Sequence, residues 1–403
     1  MLFKKYQPSK EILEKYASVL VNFALNSGKG VKKNDVILIQ VPECAKPLLI
    51  SLRRAVLKAG AHPIIEYLPD NIAREYYELA EEHHLDHFPS KYMRGKVDEI
   101  DHSISIIADT NKYELEGIDP KKIMRKQIAF KPYREWRNEK ENLGRFTWTL
   151  GLYGTEEMAR EASLTLKQYW DQIIKACYLD YPNPIEKWNS SFKEIERIKT
   201  RLNNMKIKEL HVKSQNTDLT VGLGPGREWM GGSGRNIPSF ELFISPDWRK
   251  TSGKIFLNQP LYRYGNIVKD IYLEFKEGKI ISAKSKQGEN ILKEMISVEN
   301  ADKIGEFSLT DIRFSRISKF MAETLFDENF GGKFGNTHIA LGDAYKDSFP
   351  GNPSKLKKSD WKRLGYNESV IHTDVISTEN RKVTAILNNG KEQIIYKNGK
   401  FTI

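Results

Sequence analysis

The sequence predicts an α/β N-terminal domain with a mostly parallel sheet, followed by a strand-rich α+β C-terminal domain. Three observations lead to this. Helix-period and strand-like segments alternate from the N-terminus onward. A Pro182-Asn183-Pro184 breaker interrupts two long helical stretches in mid-chain. After about residue 207 the texture changes to short alternating runs with hairpin turns.

Taken in order, Ile12 to Leu25 has apolar residues at helical spacing, Val36 to Val41 is a β-branched run, and Leu48 to Leu57 returns to helical spacing. His62 to Tyr67 and Ile104 to Ala108 read as further strands. Strands separated by helices of this length require right-handed crossovers, hence parallel pairing. Thr155 to Ala176 and Ile185 to Asn203 read as long helices, and the break between them places the domains at 1–190 and 191–403. In the second domain, Glu209 to Lys213, Leu219 to Leu223, Asp270 to Phe275 and Lys279 to Ala283 read as strands, with a helix over Ile317 to Leu325. Asn388-Asn389-Gly390 and Asn398-Gly399 mark hairpins near the C-terminus.

A length of 403 residues exceeds one ordinary core, and 39% hydrophobic with 29% charged residues argues for a folded chain. The two cysteines, Cys44 and Cys177, offer neither a disulfide framework nor a thiolate zinc motif, which fits a reducing compartment. Lys4-Lys5 is followed by polar residues where a signal peptide has an apolar stretch, and no window is long and apolar enough for a membrane span. The expected location is therefore the cytoplasm, with no membrane partner. The net charge of +11 comes from lysines dispersed among glutamates, as in Phe192 to Arg197, so solvated helix faces account for it better than a nucleic-acid surface.

Two local motifs fail their context tests. Gly222-Leu223-Gly224-Pro225-Gly226 does not open a helix after a strand, as a dinucleotide loop must, and reads as a turn between strands. His83 and His87 stand four apart as zinc ligands do on a helix, but position 84 is His where the catalytic glutamate belongs. More informative is His372-Thr373-Asp374 inside a strand-like run, where side chains two apart project to one face. His338 lies in a similar apolar setting, while Glu241, Glu306 and Glu328 are ambiguous singly.

At these segments the chain resembles the aminopeptidase T and aminopeptidase S family of dinuclear metallopeptidases. The matching stretches are Arg235 to Glu241, Ile304 to Glu306, Leu325 to Asn329, His338 to Tyr345 and Ile371 to Asp374, in that order. The resemblance implies a catalytic C-terminal domain, a homodimer, and two divalent ions (Zn, Co or Mn) held by Glu241, Glu306, Glu328, His338, His372 and Asp374. It also implies peptide substrates with a free N-terminus, and Glu306 as the bridge between the ions. Two departures from the family pattern are Phe240, where a glycine is common, and the inserted Phe330 to Thr337 loop.

Four carboxylates and two neutral imidazoles balance the charge of two divalent ions, and mixed O/N ligation permits several metals. The implied reaction is hydrolysis of the first peptide bond, with Tyr345 as donor to the developing oxyanion and Glu241 or Glu306 as proton shuttle. A dinuclear hydrolase of another amide or ester is one alternative. A non-catalytic metal- or peptide-binding relative is the other.

Overall fold

The computed structural model describes residues 6–263 and 266–403, which form two compact units. The first comprises the chain up to Trp188 together with Ser233–Ile237, and the second comprises Asn189–Gly232 and Pro238–Ile403.

The first unit is built on a parallel sheet of β1 (Val36–Pro42), β2 (His62–Leu68), β3 (His102–Ile107) and β4 (Thr147–Leu152), in the order β2-β1-β3-β4. Ile37, Leu38, Ile39 and Val41 are all buried, as expected of a central strand covered on both faces. Helices make the crossovers. Lys46–Lys58, with proline in its first turn, joins β1 to β2, and Asp119 caps Pro120–Ala129 on the way to β4.

Two of the expected helices are not uninterrupted α-helices. The first runs as an α-helix over Lys10–Val19, widens to a π-helical turn at Leu20–Ala24, and ends where Asn26 and Ser27 take φ of 55° and 54°. The expected helix over 155–176 is two helices, Glu156–Glu161 and Leu166–Ala176. Thr165 forms a capping box with Gln168, which restarts the helix after Ser163 turns to φ 56°. The strand β4 falls outside the segments singled out from sequence, its alternation being blurred by Gly151 and two threonines.

The second unit holds two antiparallel sheets. The larger contains β5 (Ile207–Lys213), β6 (Asp218–Gly222), β8 (Thr251–Leu257), β10 (Asn266–Lys276), β11 (Lys279–Gln287), β15 (Lys382–Leu387), β16 (Glu392–Lys397) and β17 (Lys400–Phe401), with β9 (Leu261–Arg263) pairing β10. Asn398 and Gly399 have φ of 51° and 78°, the left-handed pair that closes a tight hairpin between β16 and β17. The smaller sheet runs β14-β13-β12-β7, from β7 (Glu241–Ile244), β12 (Ile304–Thr310), β13 (Asn336–Gly342) and β14 (His372–Ser377).

The helix expected over 317–325 is a single turn, Thr324–Asp327. The Asp327 carboxylate accepts the amides of Met321 and Glu323, a local alternative to helical bonding that also fits Ala322 at φ 52°. Among the described residues, no helix is long and apolar enough to cross a membrane.

Candidate metal centre

The smaller sheet has two chemically opposite faces. Strand register places Glu241 and Phe243 of β7, Glu306 and Ser308 of β12, His338, Ala340 and Gly342 of β13, and His372 and Asp374 of β14 on one side. Leu242, Ile244, Phe307, Leu309, Ile339, Leu341 and Val375 alternate with them on the other side, all at most 2% exposed. Burial of that apolar face fixes the register. A one-residue slip would put the carboxylates into the core.

Ala340 pairs with Glu306 on one neighbouring strand and with Asp374 on the other, and Gly342 pairs with His372. These small residues leave space in the middle of a ring of ionisable groups. His338 Nε2 lies 3.2 Å from Glu306 Oε1 and 3.3 Å from Glu241 Oε2. His372 Nε2 lies 3.7 Å from Glu306 Oε2 and 3.4 Å from Asp374 Oδ1. The two oxygens of Glu306 thus face different imidazoles. Ligand atoms of Glu241, Glu306 and His338 all fall within 4.8 Å of one another.

Neighbouring groups orient these side chains. His372 Nδ1 stands 2.8 Å from the Asp343 carbonyl, so that nitrogen carries the proton and Nε2 is presented to the carboxylates. Ser239 and Ser308 hydroxyls donate to Glu241 at 3.3 and 3.5 Å. His338 Nδ1 is buried without a hydrogen-bond partner.

Glu328 enters from the one-turn helix and is 7% exposed. Asn329 beside it is fully buried: its Oδ1 accepts the Phe240 amide at 2.6 Å and its Nδ2 donates to Leu325 O at 3.2 Å. The Phe330–Thr337 insertion folds back compactly. Gly331 and Gly332 amides donate to Ile317 O, and Asn336 Nδ2 donates to the carbonyls of Glu328 and Phe330. Phe240 itself is a core residue, 1% exposed. Asn329, Ser239, Ser308 and Asp343 were not singled out as site residues from sequence. Ser239, Asn329 and Asp343 lie inside the stretches that match the family, whereas Ser308 lies in none of them.

The electrostatics are those of a concentrated anionic site. Burial works against a charged His338 ring, but Glu306, Asp374 and Glu241 outweigh it and raise its pKa to about 9. The same contest at His372, led by Asp374, ends at about 10. Desolvation, with Glu306 and Asp374 alongside, pushes the Glu241 carboxyl up. The Tyr345 ring lies tilted against the His372 ring at 4.6 Å and against Phe243 at 5.8 Å, and its amide donates to Ser245 Oγ. Desolvation of its hydroxyl, followed by the repulsion of Glu306, Asp374, Glu328 and Glu241, holds the phenol well above its ordinary value.

The donor set fits divalent cations: carboxylates in excess, imidazole nitrogens directed among them, and small residues at the centre. A second trio, Glu81, His83 and His84, is fully at the surface, where His84 Nδ1 accepts the Glu81 amide in a helix-capping role. The Gly222–Gly226 stretch follows β6 and leads into irregular chain, with no helix for a dinucleotide phosphate.

The model of the thermophilic metalloprotease (M29) family matches residues 9–401. Aminopeptidase T of Thermus thermophilus is 27% identical, over 98% of this chain and 99% of its own. Aminopeptidase PepS of Streptococcus thermophilus is also 27% identical, over 98% of each chain. The solved structure of wild-type AmpT from Thermus thermophilus covers 98% of this chain and 100% of its own, with a TM-score of 0.83 at 25% identity.

Proposed function

The chain belongs to the thermophilic metalloprotease (M29) family, and from that premise we propose that it is a two-metal aminopeptidase acting on peptides with a free N-terminus. The relatives it matches over nearly their whole length are aminopeptidases by name. The observation that carries the two-metal reading is Glu306, whose oxygens face His338 at 3.2 Å and His372 at 3.7 Å. A carboxylate between two imidazoles, each with a further acid at its side, supports a role in which Glu306 would be shared by both ions. Glu241, Glu306 and His338 would hold one ion and Glu306, His372 and Asp374 the other, with Glu328 adding a carboxylate from the adjoining turn.

Bound divalent ions supply Lewis acidity and lower the pKa of water. The remaining work falls to the chain. Glu241, at the edge strand of the sheet and oriented by the Ser239 and Ser308 hydroxyls, is the proposed proton carrier. It takes a proton from the attacking water and delivers it to the leaving amine. Tyr345 remains a phenol at neutral pH and donates its O–H to the oxyanion that develops on the carbonyl.

Purified protein is expected to hydrolyse leucyl anilide when supplied with Zn, Co or Mn, to lose activity to a chelator, and to reject acetyl-leucyl anilide. Undiminished hydrolysis by a metal-free His338→Ala/Asp374→Ala protein would refute the reading, and equal turnover of the acetylated substrate would refute the exopeptidase part of it.

A further inference from the structure

The front of the smaller sheet carries apolar groups as well as ionisable ones. Phe243 follows Glu241 by two residues on β7 and shares its face, opposite Ser308 of β12. Met230 lies across from Phe243 in an antiparallel bridge and exchanges both backbone hydrogen bonds with it, at 2.8 and 3.0 Å. Residues paired in this way place their side chains side by side on one face. Trp229, the preceding residue, turns to the reverse face and meets Phe307 edge-on at 6.4 Å, as alternation along an extended chain requires.

Gly231 lets the Met230 segment run this close to β7, since a Cβ there would stand 2.4 Å from the Glu241 carbonyl oxygen. Tyr345 completes the row, its ring 5.8 Å from that of Phe243 and 4.6 Å from that of His372. Met230 and Phe243 are half-buried and Tyr345 is 43% exposed, so apolar surface is left open on the side of the sheet that holds the carboxylates. One exposed apolar side chain is ordinary, but three adjoining ones beside a ring of ionisable groups form a patch.

Position decides what the patch is for. A first residue whose amine and carbonyl are both held at the centre carries its side chain on the carbon between them, so that side chain falls beside the ligands and Tyr345. On the β14 side of His338 stands Ile376, which is 5% exposed and offers no open surface. On the β7 side stand Met230, Phe243 and the Tyr345 ring, uncharged and partly open. Arg227, the cation nearest to Met230 in sequence, is committed elsewhere: its guanidinium donates to the carbonyls of Pro225, Ser245 and Leu364 and lies over the Tyr366 ring at 3.6 Å.

We propose that Met230, Phe243 and the flank of the Tyr345 ring form the subsite for the side chain of the substrate's first residue, and that they select a long or branched apolar side chain. The proposal rests on the aminopeptidase reading and adds the substrate class to it. A thioether and two aromatic rings make an adaptable apolar wall that fits leucine, methionine or phenylalanine. A charged side chain laid on the same wall gives up water without gaining a partner, and alanine covers too little of it.

The test compares kcat/KM for leucyl, alanyl, lysyl and glutamyl anilides on the metal-loaded full chain. The wild type is expected to prefer leucyl to the other three, by about tenfold or more over alanyl. Phe243→Ala should cut the leucyl-to-alanyl ratio about tenfold. Met230→Glu should raise the lysyl-to-leucyl ratio about threefold or more, and Met230→Lys the glutamyl-to-leucyl ratio likewise. Each ratio is taken on one preparation, so it does not depend on how much of that preparation is folded or loaded. Met230 is at the margin of the row, and its variants decide the matter alone if Phe243→Ala abolishes all four activities. Calorimetric affinities of leucine and lysine hydroxamates should follow the same order without turnover. A wild type that prefers lysyl or glutamyl anilide, or ratios unmoved by the Met230 substitutions, overturns the subsite and leaves the aminopeptidase reading standing. No hydrolysis of any of the four by the wild type overturns both.

Discussion

Replacing Asn329 by alanine removes the side chain that ties the Glu241 strand to the Glu328 turn. The amide is fully buried, with Oδ1 accepting from Phe240 N at 2.6 Å and Nδ2 donating to Leu325 O at 3.2 Å. Alanine satisfies neither partner. An unsatisfied buried backbone group costs about 1–3 kcal/mol, so the two together predict a loss of about 2–6 kcal/mol. In a unit of this size 1 kcal/mol corresponds to about 2–4 °C, which places the fall in the second unit's transition between roughly 4 and 24 °C. Phe240 adjoins Glu241 and Asn329 adjoins Glu328, so the same substitution loosens two proposed ligands. Metal affinity should fall about 10–100-fold, as when a partner that orients ligands is lost. Differential scanning calorimetry resolves the transition, and elemental analysis after dialysis against graded metal gives the affinity. A melting shift below about 1 °C together with unchanged metal retention would show that Asn329 does not organise the site.

Ala340→Leu puts a larger side chain between Glu306 and Asp374, and is expected to abolish metal retention and leucyl-anilide hydrolysis at a stability cost of about 1–3 kcal/mol; elemental analysis showing normal metal content would contradict the register argument. Gly335→Ala adds a Cβ 2.2 Å from Thr310 O and 2.3 Å from the Tyr396 hydroxyl at a φ of 59°, so a loss of more than about 1 kcal/mol is expected in chemical denaturation. In the first unit, burial lowers the pKa of His102 despite its 3.1 Å contact with Asp35. The unfolded chain then takes up a proton near the ordinary histidine pKa of about 6.5 while the folded one does not. The stability this contributes is present above that pH and lost as pH falls through the lower folded value. His102→Gln should flatten the pH dependence of the first unit's melting temperature between about pH 7 and 5, and an unchanged slope would remove His102 as its source.

Much of the fold was legible because its signals are local. The β-branched run at Val36–Val41, the helical spacing at Leu48–Leu57 and the Asn-Gly hairpin near the C-terminus each depend on a few neighbouring residues. What misled were segments where a side chain competes with the helix. Thr165 with Gln168 starts a new helix inside an apparently continuous one, and Asp327 binds the amides that a helix over 317–325 would need. Such contacts leave the hydrophobic period intact and so escape a periodicity test.

The centre was legible only in part, for a geometric reason. His372 and Asp374 stand two apart on one strand, so the sequence alone puts them on one face. Joining them to Glu306 and Glu241 requires the order β14-β13-β12-β7, which no local pattern encodes; there the family resemblance supplied what spacing had not. The structure adds why the arrangement holds. The seven apolar side chains on the reverse face are buried in the core, and that burial makes every alternative register costly enough to keep the acids together. Carboxylates crowded as Glu241, Glu306 and Asp374 are repel one another, and the same cluster attracts positive charge, holding the His338 and His372 rings above their ordinary pKa. A sheet whose back is fixed by hydrophobic burial can maintain on its front an electrostatic arrangement that would not assemble alone. That is the physical basis for expecting substitutions on the apolar face, such as Phe307→Ala, to reduce metal affinity without touching a ligand.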